Sequence, residues 1–364
     1  MRIWVTGLGV VSPLGRHADD TMAGLLAGER AFQRVRLFDP SGCRSEIAAE
    51  VPDLDVAALA PTEDLDGWSR TDAMAVLSAR EALAGLGDEH GVDLIVGGTT
   101  AGMFETEDLL AEMHRDPSAR KPLERMLSHP LSATADRMVS TVRPFRKART
   151  ICSACSSGAN ALLLGASWLR TGRSERVLAG GADGLCRLTY TGFSCLGALS
   201  PNPCLPFDAR RNGLTLGEGA AFLLLETEDA ARARGAEPIA ELRGWAVAAE
   251  AHHITNPQAT GATAAAVMAA ALRRAEIEPA DVDYINAHGT ATRLNDKMEA
   301  AAIRHAFGDE TRRVSVSSTK SMIGHTLGAA GAIEAAVCAL TIARGAMPPT
   351  VGLEQIDPDC EGLS

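Results

Sequence analysis

The chain has 364 residues, a net charge of −11, 46% hydrophobic and 4% aromatic residues, and 35 glycines. That is an Ala/Gly-rich globular composition, with apolar content for one large or two medium domains, and its acidic balance argues against nucleic acid as a partner. Eight scattered cysteines suggest reduced, mostly buried thiols in a cytoplasm.

In chain order, "MRIWVTGLGVVSPLG" has a basic residue and an apolar run, but glycines cut the run and no small-residue cleavage site follows. It reads as a first strand and not a signal peptide. Ser12 and Pro13 spoil a dinucleotide fingerprint there, so the strand ends in a turn. Strand-like runs ("VDLIVGGTT", "RTICSA", "RVLAGGAD", "AAFLLLE") alternate with helix-like ones ("TDAMAVLSAREALAGLG", "SSGANALLLGASWLRTG"), the pattern of an α/β fold. The basic run "RPFRKAR", Arg143 to Arg149, is either a solvated turn or a patch for an acidic partner.

After "EDAARARGAEP" the pattern restarts: strand "IAELRGWAVAAE", helix "TGATAAAVMAAALRRAEI", strands "VDYINAHG" and "VSVSSTK", then the apolar "GAAGAIEAAVCALTIARG". Two α/β halves, 1–235 and 236–364, are the economical description, and without a low-complexity linker they pack on each other. The longest apolar segment, 327–343, carries Glu334 at its middle, so no membrane span is indicated. Small and apolar residues nearly encircle the helices after Cys155 and after His325, which predicts a helical layer buried between two sheets. Adjacent His252 and His253 point to opposite faces if the chain is extended, and are read as structural.

Cys152 and Cys155 form a C-x-x-C in "RTICSACSSGANALLL". Zinc would want a second pair at ligand spacing, and the other six cysteines form none. Cys152 falls inside the strand, whereas Cys155 sits at the strand-to-helix turn, where free N–H groups and the helix dipole favour a thiolate. The motif therefore leans to one nucleophile, Cys155, with Cys152 a packed neighbour. "NAHGTATRLND" delivers His288 after a strand, and "SSTKSMIGHTLGAAGAIEA" delivers Lys320 and His325 in a glycine-rich loop.

Together with "VTGLGVVSPLG", "PFDARRNGLTLGEGAAFLLLE", "HHITNPQATG" and "PPTVGLEQIDPDC", these stretches follow in order over nearly the whole chain. The sequence resembles an elongating, two-histidine β-ketoacyl-acyl carrier protein synthase of the thiolase-fold condensing enzymes. The resemblance implies a five-layered αβαβα architecture of two similar halves. It implies Cys155 as acyl-accepting nucleophile, His288 and His325 as the pair that handles malonyl decarboxylation, and Lys320 and Glu334 as supporting charges. It places Thr255, Thr290 and Thr292 along the tunnel for the phosphopantetheine arm, and the region of Met103 and Phe104 at the floor of the acyl pocket. The implied partners are acyl carrier protein and a second subunit, either an identical copy or a chain-length-factor type; no nucleic acid, membrane, metal or separate cofactor is expected. Two departures stand out. Asn212 occupies a position often acidic in the family. The chain also stops at "DPDCEGLS", where family members continue through further strands and a Gly-Phe-Gly-Gly-Thr-Asn loop that supplies an oxyanion donor. C-terminal strands are therefore expected to be missing, with loose packing and slow turnover as the consequence.

Overall fold

The computed structural model describes residues 1–57, 59, 67–118 and 123–364. The strands are β1 (Ile3–Val11), β2 (Gln33–Arg34), β3 (Ile47–Ala48), β4 (Asp93–Gly97), β5 (Ala148–Ile151), β6 (Arg176–Asp183), β7 (Gly219–Thr227), β8 (Ala240–Glu241), β9 (Tyr284–Asn286) and β10 (Ser315–Ser317). The helices are α1 (Ala18–Ala27), α2 (Arg70–Ala82), α3 (Met103–Arg115), α4 (Ala133–Thr141), α5 (Ser157–Arg170), α6 (Arg187–Cys195), α7 (Glu228–Ala233), α8 (Ala262–Ala275), α9 (Arg293–Phe307), α10 (Lys320–Ile323) and α11 (Ala330–Arg344).

The first half is built on a sheet of order β5-β4-β6-β7-β1-β8, with β5, β4 and β6 parallel and the remaining pairs antiparallel. Every residue of β6 is buried, as a strand covered on both faces requires. On one face lies α2, started by a Ser69–Asp72 capping box. A Cβ on Gly7 or Gly9 would lie 2.1 or 2.0 Å from carbonyl oxygens of this helix, so the glycines of "TGLGVV" serve helix-on-strand packing. The chain then turns through reciprocal Ser12–Gly15 backbone bonds.

On the other face lie α5 and α11, whose backbones approach closely. A Cβ on Gly158 would meet that of Ala332 at 2.8 Å, and one on Gly331 would meet that of Ala159 at 2.7 Å. Beyond them the parallel pair β9–β10 forms the next layer, covered by α8 and α9 through Ile303, Phe307, Val314, Met268 and Leu272. The succession α2/α4, first sheet, α5/α11, β9–β10, α8/α9 is the αβαβα stack.

Four expectations need correction. Of "IAELRGWAVAAE" only Ala240–Glu241 is strand, and it pairs with β1 of the first sheet; past it no partner strand lies alongside among the described residues, so no ladder forms. Helix α5 buries one face, through Ala161, Leu162, Gly165, Ala166 and Leu169, while Leu164 and Trp168 are only half-buried. Cys152 lies just past β5 and is exposed, because β5 is the edge strand of its sheet. His252 and His253 sit in an irregular loop and not in a strand. The run from Arg143 to Arg149 is largely spent internally. Arg143 donates to the carbonyls of Gly87, Asp88 and His90, Arg146 pairs with Asp93, and Lys147 lies over the Trp168 ring.

Candidate active site

The chain leaves β5, turns through Ser153 and Ala154, and presents Cys155 two residues before α5. Three hydroxyl-mediated bonds fix the turn. Ser153 N–H donates to Ser157 Oγ at 2.9 Å, the Ser157 hydroxyl donates to the Ala154 carbonyl at 2.6 Å, and the Ser156 hydroxyl donates to the Ser153 carbonyl at 2.8 Å. Ala154 has φ of 52°, and the same left-handed conformation recurs at Ala291 (65°), between two of the threonines, and at Leu327 (52°), just after His325. A residue with a side chain in that region costs roughly 1–3 kcal/mol and persists only where its surroundings over-determine it.

His288 follows β9. Its backbone N–H and that of Gly289 donate to the two carboxylate oxygens of Glu299 at 2.6 and 2.7 Å. His325 follows α10, and its backbone is held by Thr215 and Gly217. The Ser318 hydroxyl donates to the Gly289 carbonyl at 2.8 Å and so ties the two histidine loops together. The imidazole rings stand perpendicular with centroids 5.2 Å apart, and the ligating atoms of Cys155, His288 and His325 all lie within 4.8 Å of one another.

Burial, seconded by the nearby Lys320 cation, holds both imidazoles well below the usual histidine range, so both are neutral near pH 7. The Leu327 N–H donates to His325 Nδ1 at 3.0 Å. Nδ1 therefore carries the lone pair and Nε2 the proton. This is the tautomer of a hydrogen-bond donor. It leaves Nε2 no lone pair for a metal, so the Cys-His-His trio suits an oxyanion better than a cation.

Burial also pushes the Cys155 thiol up, with Asp183 and Glu334 adding to the rise, against Lys320 and the cysteine's own N–H, which lower it. The start of a helix thus does not by itself make this thiol acidic. Lys320 is buried and ion-paired with Glu334 of α11.

A cavity of about 880 Å³ opens from this trio to solvent. Thr290 and Thr292 line it with their hydroxyls 3.0 Å apart, and Thr292 also caps α9. Thr255 lies at the exposed mouth, on a loop organised by His253, whose Nδ1 accepts the N–H groups of Thr255 and Asn256. Neither Met103 nor Phe104 lines the cavity. Phe104 packs on the cluster of Val35, Phe38 and Tyr190, as does Phe193, which does line the cavity. Sequence reasoning passed over Glu299, and it read His253 as structural without seeing that its ring shapes the loop of Thr255. Glu299 was legible as an acid on the buried face of α9, whereas His253 acts through a loop conformation that no local pattern encodes.

Matches to family models assign the chain: residues 1–231 match the β-ketoacyl synthase N-terminal domain and residues 239–354 the β-ketoacyl synthase C-terminal domain. The chain belongs to the β-ketoacyl synthase family of condensing enzymes. It is 33% identical over 380 residues to 3-oxoacyl-acyl-carrier-protein synthase 2 of Synechocystis sp., covering 99% of this chain and 90% of that protein. It is 34% identical over 370 residues to nodulation protein E of Rhizobium meliloti, again covering 99% and 90%. Among solved structures it resembles the ishigamide ketosynthase/chain length factor, with a TM-score of 0.92, 34% identity and coverage of 100% of this chain and 91% of that one. A type II PKS acyl-carrier protein in complex with its ketosynthase bound to the hexaketide gives a TM-score of 0.86 at 29% identity, with the same coverage.

Proposed function

We propose that the chain extends an acyl group held on Cys155 by decarboxylative Claisen condensation with malonyl-acyl carrier protein, in fatty acid or type II polyketide assembly. The Cys155 thiolate attacks the thioester carbonyl of an acyl carrier protein, the pantetheine thiol leaves, and the acyl group stays activated as a thioester. Malonyl thioester then loses carbon dioxide, and the enolate carbon attacks the acyl carbonyl. The bond to Cys155 sulfur breaks and the thiolate returns. Negative charge collects on the malonyl thioester oxygen, where neutral His288 and His325 donate N–H bonds. Lys320, held by Glu334, supplies the positive field that favours the thiolate. Thr255, Thr290 and Thr292 all line the cavity, which supports their hydroxyls as hydrogen-bond partners for the amides of the arm.

The observation that carries this reading is the Leu327 N–H bonded to Nδ1 of His325, beside a half-buried thiol in an open cavity. Acyl carrier protein and a second subunit, identical or of the chain-length-factor type, are the partners; the solved ishigamide assembly and the carrier-protein complex support both. All eight cysteines are free thiols, which supports a reducing cytoplasm as the location.

Acyl-carrier-protein primers followed by malonyl-carrier protein, analysed by mass spectrometry with and without the partner subunit, test the reading. The expected results are an acyl adduct on the Cys155 peptide and then a β-ketoacyl product. Product without an adduct at Cys155 overturns the nucleophile, and no product from any primer with the partner present overturns the activity.

A further inference from the structure

Asp183 closes the buried strand β6, is itself fully buried, and accepts hydrogen bonds from five donor groups. Four come from the first half, just past β4: Thr99 N–H at 2.8 Å, the Thr99 hydroxyl at 2.6 Å, Thr100 N–H at 2.8 Å and the Thr100 hydroxyl at 2.8 Å. The fifth comes from the second half: Gly328 N–H reaches Oδ2 at 2.6 Å. One carboxylate thus brackets the first sheet to the turn that follows His325.

That turn is where the tautomer of His325 is decided. Leu327, next to Gly328, holds φ of 52°, a conformation leucine does not keep unless both ends of the turn are gripped. At one end the His325 backbone is bonded to Thr215 and Gly217; at the other stands Asp183. We infer that Asp183 is a positioning residue: by gripping the Gly328 N–H it holds the Leu327 N–H on Nδ1 of His325 and keeps the ring proton on Nε2, facing the reacting atoms. The inference rests on the reading of His325 as donor. Asp183 works against the other half of the cycle, because its charge opposes formation of the Cys155 thiolate.

This opposition separates positioning from plain structural support. In Asp183→Asn, malonyl decarboxylation should fall by roughly tenfold to a hundredfold as the donor loses its alignment. Alkylation of Cys155 by iodoacetamide should stay unchanged or become faster. Nitrogen-15 NMR of histidine-labelled protein should show one Nε2–H tautomer for His325 in the parent and a mixture in the variant. If both rates fall together, or if decarboxylation and the tautomer are unchanged in a folded variant, the inference is overturned. If the variant does not fold, Thr99→Val with Thr100→Val loosens the same carboxylate, and a smaller loss of decarboxylation with Cys155 alkylation intact is expected; unchanged decarboxylation there also overturns it. A parent whose His325 carries its proton on Nδ1, or a His325→Gln variant that decarboxylates normally, would overturn the donor reading itself and the inference with it.

Discussion

Glu299 grips two successive peptide groups, the N–H of His288 and the N–H of Gly289, with one oxygen on each. Asn295 adds a side-chain N–H at 3.4 Å. Glu299→Ala should therefore leave two buried donors unsatisfied, at about 1–3 kcal/mol each. Glu299→Gln keeps one acceptor and should lose less. Denaturant melts of both variants, read beside carbon dioxide release from malonyl-carrier protein, check the order Ala worse than Gln. Equal melts would mean that the loop holds its shape without the carboxylate.

His288→Ala and His325→Ala should keep some acyl transfer to Cys155 and lose decarboxylation by roughly two or more orders of magnitude. Transfer is read as the acyl adduct on the intact protein and decarboxylation as released carbon dioxide. Undiminished gas release in both variants would remove the imidazoles from the chemistry.

Because burial depresses both histidines, the donors stay neutral below the ordinary histidine range. Decarboxylation by the intact enzyme should accordingly pass through pH 6.5 without the inflection of a typical imidazole. Stability behaves differently: the unfolded chain takes up protons there that the native site refuses, so stability falls as pH drops below about 6.5. A pH series of melts beside the same series of initial rates separates the two trends.

The Cys155 thiol is pushed up by burial, so its alkylation by iodoacetamide should still be rising with pH at the ordinary thiol range, about 8.5. A rate that levels off well below pH 8 would place the thiolate in a more stabilising field than the one formed by Lys320 and the cysteine's own N–H.

Lys320→Met leaves the half-buried Glu334 without its partner and should cost at most about 3–5 kcal/mol, whereas Lys320→Met with Glu334→Leu should recover much of that. Both should alkylate Cys155 more slowly than the parent at equal pH, since the cation that favours the thiolate is gone. Recovery of stability with only partial recovery of alkylation, since the double variant also removes the Glu334 charge that opposes the thiolate, is the expected signature.

Sequence legibility followed the range of the interactions. Cys155, His288, His325 and Lys320 were readable because each sits in a short motif at the end of an element, and strands such as β6 and β7 announce themselves as buried apolar runs. Cys152 was misplaced by a single residue at a strand end, which suffices to move a side chain from packed to exposed on an edge strand. The run after Glu241 has strand composition but no neighbour to pair with, and pairing is a long-range property. Asp183 shows the same limit: a charge at the end of an apolar strand is visible, but its donors lie 84 and 145 residues away in the chain.

The close approach of α5 and α11 also sets a tolerance for the chemistry. Cys155 rides on the start of one helix, and the turn carrying His325 leads into the other. With Cβ positions at Gly158 and Gly331 already within 2.8 Å of the facing alanines, the interface works as a spacer of fixed thickness. One added methyl would widen it, and the thiol and the imidazole would part by a comparable amount. The distance between nucleophile and donor is thus gauged by two glycines rather than by the reacting groups themselves, and a side chain at either position would register as lost turnover.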